Sequence, residues 1–340
     1  MKILILKPSS LGDVVQALPV ARLLKLHFPT AEIHWWLNRE LVPLLEGDPD
    51  IARVIPFDRR QWGRPEGWLL AVSEIRRLRH ERYDWILDLQ SLARSAIVGW
   101  LARGALTVGL DDRREGASAF HDISVPRPTP DTHAVDWYLA VLHRLGIPVH
   151  WDFDWLPPRP GEATGVISRA GEPGTVWIAI QPGARWENKR WPVSHFSNLA
   201  TRLMERNSQW RVAILGGHAD QQLGAAITHQ TGGQCLDLTG RLSLPEMVEW
   251  MRRCSLVVSN DTGPMHVAAA LRCAVIGLFG PTEPARTGPY GQIDQILRVR
   301  MPCAPCMKSY CHRMDEPVAC LRRLDPETVF AASCARLEGS

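Results

Sequence analysis

Three short segments of this chain place acids, cations and glycines where strands give way to helices. The first is Lys7-Pro8-Ser9-Ser10-Leu11-Gly12-Asp13-Val14, which follows the apolar run Ile3–Leu6. Asp13 therefore falls in a strand-to-helix turn, where a carboxylate serves either as a helix cap or as a general base. A helix N-terminus favours the ionised form, which keeps the group ready to accept a proton but makes it a weaker base. Weak basicity suffices when the proton leaves late, after positive charge has built on an electrophile. The segment is not G-x-G-x-x-G, so a dinucleotide oxidoreductase loses its main support.

The second segment is Ile180-Gln181-Pro182-Gly183-Ala184-Arg185-Trp186-Glu187-Asn188-Lys189-Arg190-Trp191-Pro192, with three cations in six positions beyond a glycine. Backbone N–H groups of such a loop can position a diphosphate, and Lys189 or Arg185 can neutralise charge growing on a leaving phosphate. A solvated surface loop is the alternative. The third is Ser259-Asn260-Asp261-Thr262-Gly263-Pro264-Met265-His266, between the strand-like Ser255–Val258 and the small-residue helix pattern Val267–Leu271. Thr262 or Asp261 can cap that helix, Pro264 is tolerated in its first turn, and the remaining free N–H groups make an anion site. An ordinary capped helix is the alternative reading. Two weaker loops follow strand patterns: Leu215–Asp220, where Asp220 can hold ribose hydroxyls, and Phe279–Pro284.

The elements that position these loops form two series. Strands are expected at Ile3–Leu6, Glu32–Leu37, Arg53–Phe57 and Tyr83–Asp88, with helices at Val14–Phe28, Arg39–Glu46, Trp68–Arg79, Leu92–Arg103 and His133–Leu145. The pattern lapses between Pro148 and Pro173, around the breaker cluster Pro157–Gly161. It resumes with strands at Val176–Ile180, Arg211–Leu215 and Ser255–Val258, closing at Ala274–Phe279. Helices are expected at Val193–Arg206, Asp220–Gln230 and Ser243–Arg253. Alternation at this pitch implies α/β, doubly wound, mostly parallel sheets. The expected organisation is a Rossmann-like domain over 1–155, a linker over 156–172, a second such domain over 173–325, and a C-terminal helix over 326–340 that packs back toward the N-terminal domain. Tandem domains of this kind face a central cleft at the C-terminal edges of their strands.

Composition bounds the function. A length of 340 residues fits two domains with ordinary cores. A net charge of +3 without long basic runs argues against a nucleic-acid binder. Met1–Lys7 is too short and wrongly flanked for a signal peptide, and no apolar stretch approaches a membrane span, so a cytoplasmic protein is expected. Its eight cysteines are then thiols or metal ligands rather than disulfides. Cys303, Cys306, Cys311 and Cys320 fall in one Pro-containing loop with spacing C-x2-C-x4-C-x8-C, a set that could hold structural Zn²⁺ or an iron–sulfur cluster. Cys235, Cys254 and Cys273 lie on strand or helix patterns and read as core.

The turn Ser9–Val14, Lys189-Arg190-Trp191-Pro192, Asp261–His266 and Gly280-Pro281-Thr282-Glu283-Pro284 occur in the order found in the family 9 glycosyltransferases, which this chain resembles over nearly its whole length. These are the ADP-heptose:lipopolysaccharide heptosyltransferases. The resemblance implies a GT-B fold, inversion at the anomeric carbon and no cofactor for catalysis. It also implies a sugar-nucleotide donor, ADP-heptose, and a lipid-linked saccharide acceptor, the Kdo-containing inner core of lipopolysaccharide. By resemblance Asp13 deprotonates the acceptor hydroxyl and Lys189 contacts the diphosphate. Asp261, Thr262, Gly263 and His266 surround the donor, Asp220 holds the ribose, and Leu242 lies against adenine. Members of the family often carry hydroxyl residues where this chain has Ala184-Arg185, so one phosphate contact there falls to a guanidinium or the backbone.

Ser10, Gly12, Arg59 and Arg60 are expected on the acceptor. Further positive charge for an anionic acceptor, or for peripheral contact with the inner membrane, comes from Arg76-Arg77, Arg79, Arg94 and Arg113-Arg114. Three alternatives share the layout: a transferase of another sugar nucleotide or acceptor, a sugar-nucleotide epimerase, and a metal-cluster sensor on a transferase scaffold.

Overall fold

In the first unit, Met1–Pro157, short β-branched and leucine-rich runs build a parallel sheet. The computed structural model describes residues 1–62, 67–113, 115–167 and 174–339. The elements run β1 (Lys2–Leu6), α1 (Leu11–His27), β2 (Glu32–Asn38), α2 (Val42–Leu45), β3 (Arg53–Phe57), α3 (Arg59–Trp62) and α4 (Gly67–His80). They continue with β4 (Trp85–Asp88), α5 (Ala93–Ala102), β5 (Leu106–Asp111), β6 (Ile123–Pro126) and α6 (Ala134–Arg144). The strand order is β3-β2-β1-β4-β5-β6 with every neighbour parallel. Leu4, Leu6, Trp36, Ile55 and Ile86 from the strands pack with Leu78 of α4 and Val98 and Ala102 of α5.

Helix α1 is buried almost continuously from Val14 to Leu24, so it has little amphipathic contrast despite its length. It carries Pro19 in its interior and packs against α6. Arg22 sits within this buried stretch and is satisfied by Asp48 (2.6 Å), Asp50 (2.8 Å) and the Trp155 carbonyl (3.0 Å).

The second unit, Pro158–Ser340, repeats the theme. Its elements are α7 (Pro160–Ile167), β7 (Val176–Gln181), α8 (Val193–Arg206), β8 (Trp210–Ile214), α9 (Gln221–Gln230), β9 (Leu236–Asp237) and α10 (Leu244–Arg252). There follow β10 (Cys254–Asn260), α11 (Gly263–Ala270), β11 (Ala274–Phe279), α12 (Pro284–Thr287), β12 (Ile296–Arg298), α13 (Ala319–Arg322) and α14 (Pro326–Glu338). The parallel order is β12-β11-β10-β7-β8-β9. Ile178, Ile180, Val212, Ile214, Val258 and Ile276 form its centre.

The structure departs from the sequence reading at defined places. Strands β5, β6, β9 and β12 were not expected, and β12 rather than β11 ends the second sheet. The helix expected at Arg39–Glu46 is a 3-10 turn followed by the single turn α2, with Pro43 at its start. The expected linker contains α7, which packs on α10 within the second unit, while 168–172 lie outside the described residues. Within the second unit helix α14 packs on α8, where Arg202 pairs with Glu327 (2.5 Å) and Arg206 with Glu338 (3.0 Å). Its apolar contacts belong to the second core, including Val329 and Cys334.

Candidate active site

In the first unit the candidate residues begin where β1 ends. Ser10 is the N-cap of α1 and Asp13 its third helical residue. The Ser10 backbone N–H donates to Asp13 Oδ2 at 2.9 Å, and the Ser10 hydroxyl donates to the same oxygen at 2.6 Å. The buried Tyr138 of α6 donates its hydroxyl to Asp13 Oδ1 at 3.3 Å. Asp13 therefore caps α1 and is half-buried.

Tyr138 and Lys7 are functional candidates that sequence reasoning missed. Burial, reinforced by the Asp13 charge, pushes the Tyr138 phenol well above its usual range, so it stays a donor. Lys7 lies with its ammonium 4.7 Å from the Tyr138 ring centroid and donates to the Leu89 carbonyl at 2.9 Å. Burial lowers its pKa, opposed by Asp13 and Asp88. Asp88, at the end of β4, accepts from the Ser95 hydroxyl (3.0 Å) and pairs with His121 Nε2 (3.2 Å). Gly109 makes room for that imidazole, since a Cβ there would sit 2.1 Å from the ring.

Arg59 and Arg60 lie on α3, beyond the end of β3. That strand is two positions from β1, roughly 10 Å along the same edge of the sheet. Arg60 is exposed, and its N–H is held by Asp58 at 2.9 Å. Gly12 is buried in the first turn of α1. Arg114 lies outside the described residues.

In the second unit, loops from the C-terminal ends of neighbouring parallel strands converge. Lys189, after β7, donates to Asp261 Oδ2 at 2.6 Å, and the Thr282 hydroxyl, after β11, donates to that same oxygen at 2.5 Å. Asp261 is thus a buried acceptor rather than the helix cap. Thr262 takes the N-cap position in extended conformation without a side-chain cap bond. The α11 N-terminus opens beside it, with Gly263 and Pro264 in its first turn. Asn260 locks the framework: its Oδ1 accepts from Trp191 N (3.0 Å) and its Nδ2 donates to the Pro182 carbonyl (2.8 Å). Lys189 also lies 4.7 Å from the Trp186 ring centroid.

Asp220 joins the loops after β7 and β8. It accepts from Gly217 N at 3.0 Å, and a Cβ at Gly183 would lie 2.2 Å from its carboxylate. Glycine at 183 is what lets this acid approach the backbone. The loop holding Ala184 is pinned by Arg190, whose Nε donates to the Ala184 carbonyl at 3.0 Å, while Arg185 is exposed. His266 is buried in α11, and Leu242 is half-buried beyond β9. The structure thus brings Lys189, Asp261 and Thr282 into direct contact, and Asp220 against Gly183. Arg185 stands out as the donor candidate most open to solvent.

The cysteine loop lies against the same strand ends. Asn188 donates to the Lys308 carbonyl at 2.9 Å, and Met307 N donates to the Pro281 carbonyl at 2.7 Å. Cys303 is exposed, Cys306, Cys311 and Cys320 are half-buried, and all four are free thiols. Burial, followed by the nearby Cys311, Cys303 and Cys306, pushes the Cys320 thiol up to about 11. Among the described residues no group of three or more His, Cys, Asp or Glu side chains is arranged to hold a metal ion. Cys235, Cys254 and Cys273 are buried, as their strand and helix patterns imply.

Comparison with known proteins adds an independent line. The family model described as glycosyltransferase family 9 (heptosyltransferase) matches residues 72–315. Lipopolysaccharide heptosyltransferase 1 of Pseudomonas aeruginosa is 30% identical, with 97% of this chain and 96% of that protein covered. Lipopolysaccharide heptosyltransferase 2 of Escherichia coli is 28% identical, with 88% of each covered. Among solved structures, that of E. coli ADP-heptose lps heptosyltransferase II aligns with a TM-score of 0.77 at 25% identity, covering 100% of this chain and 99% of that one.

Proposed function

The chain belongs to glycosyltransferase family 9, the heptosyltransferases, and from that premise we propose that it moves heptose from ADP-heptose onto the Kdo-containing inner core of lipopolysaccharide. It is a glycosyltransferase of the GT-B fold, built from two α/β units with a six-stranded parallel sheet each. The observation that carries the donor assignment is the Lys189–Asp261–Thr282 contact at the mouth of α11. It sets a cation and an open helix N-terminus side by side, the two features a departing diphosphate needs.

In this reading the acceptor hydroxyl attacks the anomeric carbon from the face opposite ADP, and Asp13 takes its proton. The carbon–oxygen bond to the diphosphate breaks, and ADP leaves with the electron pair. Lys189 exchanges part of its contact with Asp261 for the β-phosphate, and the Gly263 N–H supplies a donor. Asp220 holds the ribose, Leu242 lies against adenine, and Ala184, Arg185 and His266 complete the donor shell. Ser10, Gly12, Arg59 and Arg60 meet the anionic acceptor.

The relatives include both heptosyltransferases 1 and 2, so the acceptor carries the finer assignment. ADP release is to be measured with acceptors bearing no heptose and one heptose, with the product's anomeric configuration read by NMR. Acceptor-dependent release with inversion supports the reading. Donor turnover without acceptor would replace it by epimerase or hydrolase chemistry.

The acceptor's lipid places the enzyme at the inner leaflet as a peripheral protein. Among the described residues no helix is long and apolar enough to cross a membrane. For the four-cysteine loop we retain structural Zn²⁺ or an iron–sulfur cluster as the proposed occupant, on the strength of its spacing. No step of the transfer is routed through it. Elemental analysis of protein purified anaerobically is the check, and metal-free, fully folded protein would discard the cluster.

A further inference from the structure

We infer that the outer face of α4 and α5 is a docking surface for an anionic phospholipid leaflet, with exposed apolar side chains that enter the interface and arginines among them that meet lipid phosphates. Six of the exposed large apolar side chains among the described residues are gathered on these two helices: Trp68, Leu69, Leu70, Val72, Ile97 and Trp100. Trp68 is 71% exposed, Leu69 82% and Trp100 57%. Helices α4 and α5 pack side by side in the first unit, while Leu70 lies on the side of α4 that lines a cavity with Glu74.

The order of residues along α4 identifies the partner. At about 100° per residue, Trp68, Leu69, Val72, Arg76, Arg79 and His80 fall within a sector of about 120°. The first turns of that sector are apolar and the last are basic, with Val72 and Arg76 about 6 Å apart along the axis. The one acid of α4, Glu74, lies outside the sector and lines a cavity of about 550 Å³ with Arg39, Arg53 and Arg77. Exposed Arg94, with Ile97 and Trp100 at helical spacing, gives α5 the reverse order, and because both helices lead from one parallel strand to the next, its arginine lies at the end where α4 carries Trp68 and Leu69.

A protein partner of ordinary composition would be met by apolar area ringed with mixed charge. Exposed apolar and indole side chains interspersed with guanidinium groups, with no acid in the α4 sector, match an anionic bilayer surface. This deepens the reading that the acceptor is lipid-linked, and it rests on that reading for its biological setting. The binding itself needs neither donor nor acceptor.

The test is co-flotation of the full chain with vesicles of phosphatidylcholine, alone or mixed with phosphatidylglycerol, carrying no acceptor. Wild-type protein is expected on the phosphatidylglycerol vesicles, with binding reduced by added salt. L69S/V72S and R76E/R79E should each lower the bound fraction about tenfold. Both variants should keep the wild-type melting temperature, and L69S/V72S should keep the wild-type turnover of an acceptor lacking acyl chains. Wild-type protein that stays unbound overturns the proposal, as do variants that bind like wild type. A dimer in sedimentation velocity that L69S/V72S dissolves overturns it in favour of a second copy. Failure of the heptose reading shows instead as absent acceptor-dependent ADP release, which the flotation assay does not touch.

Discussion

Asp13→Asn and Asp13→Ala separate the two roles that one carboxylate combines. Asp13 accepts the Ser10 N–H at 2.9 Å, the Ser10 hydroxyl at 2.6 Å and the Tyr138 hydroxyl at 3.3 Å. Alanine removes all three acceptors. Loss of the N-terminal capping interaction costs about 1 kcal/mol. Depriving a buried phenol of this acceptor costs about 1 kcal/mol more. A loss of about 2 kcal/mol in a unit of this size lowers its melting temperature by about 4–8 °C. Asparagine keeps an oxygen for the Ser10 donors, so its loss should stay below about 1 kcal/mol.

Turnover should not follow that order. Neither side chain can take a proton from an attacking hydroxyl, so both variants should lose at least about 100-fold in kcat, equivalent to about 2.7 kcal/mol at the barrier. ADP affinity should be kept, because the donor loops belong to the second unit. The assay is acceptor-dependent ADP release at saturating substrates, with calorimetric ADP binding and thermal melts on the same preparations. Asp13→Asn turning over within about threefold of wild type would refute the base assignment and leave Asp13 as a cap alone. Activity that falls only in proportion to the unfolded fraction would refute it equally.

The remaining predictions concern the second unit and its contrast with the first. Lys189→Ala strips the 2.6 Å partner from an Asp261 that is only 6% exposed, and should destabilise the unit by about 3 kcal/mol while weakening ADP at least about tenfold. Lys189→Ala with Asp261→Asn should recover the melting temperature without recovering ADP affinity. Gly183→Ala forces a Cβ to 2.2 Å from the Asp220 carboxylate, and should raise the donor KM about tenfold, with no further loss when Asp220→Ala is added. Burial pushes the Cys273 thiol from 9.0 up to about 12 and the Cys254 thiol well above its usual value. Unfolded thiols ionise first, so this stability is complete below pH 9 and falls as pH rises toward 12. Each thiol should cost about 1.4 kcal/mol by pH 10, and Cys273→Ala should flatten the loss in denaturant titrations at pH 8 and 10. Lys7 acts with the opposite sign: burial lowers its folded pKa below 10.5, so its unfolded form holds the proton longer and the first unit gains stability up to that pH.

Much of the fold was legible because parallel strands buried on both faces read as short apolar runs, and β3, β11 and α8 fall on their expected residues. The missed strands are those whose signal is diluted. β5 contains Gly109, β6 ends at a proline, β9 is two residues long, and β12 alternates poorly in three. Each is an outer strand or lies beside one, where tertiary pairing outweighs local pattern. Helix α7 was hidden by Pro160 and Gly161, which punctuate a chain as readily at a helix start as in a linker.

The candidate site divides along the same line. Asp13, Lys189, Asp220 and Asp261 could be named because each follows a strand pattern within one loop. Their partners could not, because Tyr138 reaches Asp13 across 125 residues and Thr282 reaches Asp261 across 21. Local reading left the cap open between Thr262 and Asp261: Thr262 takes the cap position, and the Asp261 carboxylate turns away to Lys189 and Thr282. The physical reason is burial. A carboxylate with so little exposure needs a cation and a hydroxyl more than it needs a backbone N–H, and the strand ends of β7 and β11 supply both. That choice leaves the first N–H groups of α11 without a side-chain cap, which is the condition under which a helix N-terminus can receive a phosphate.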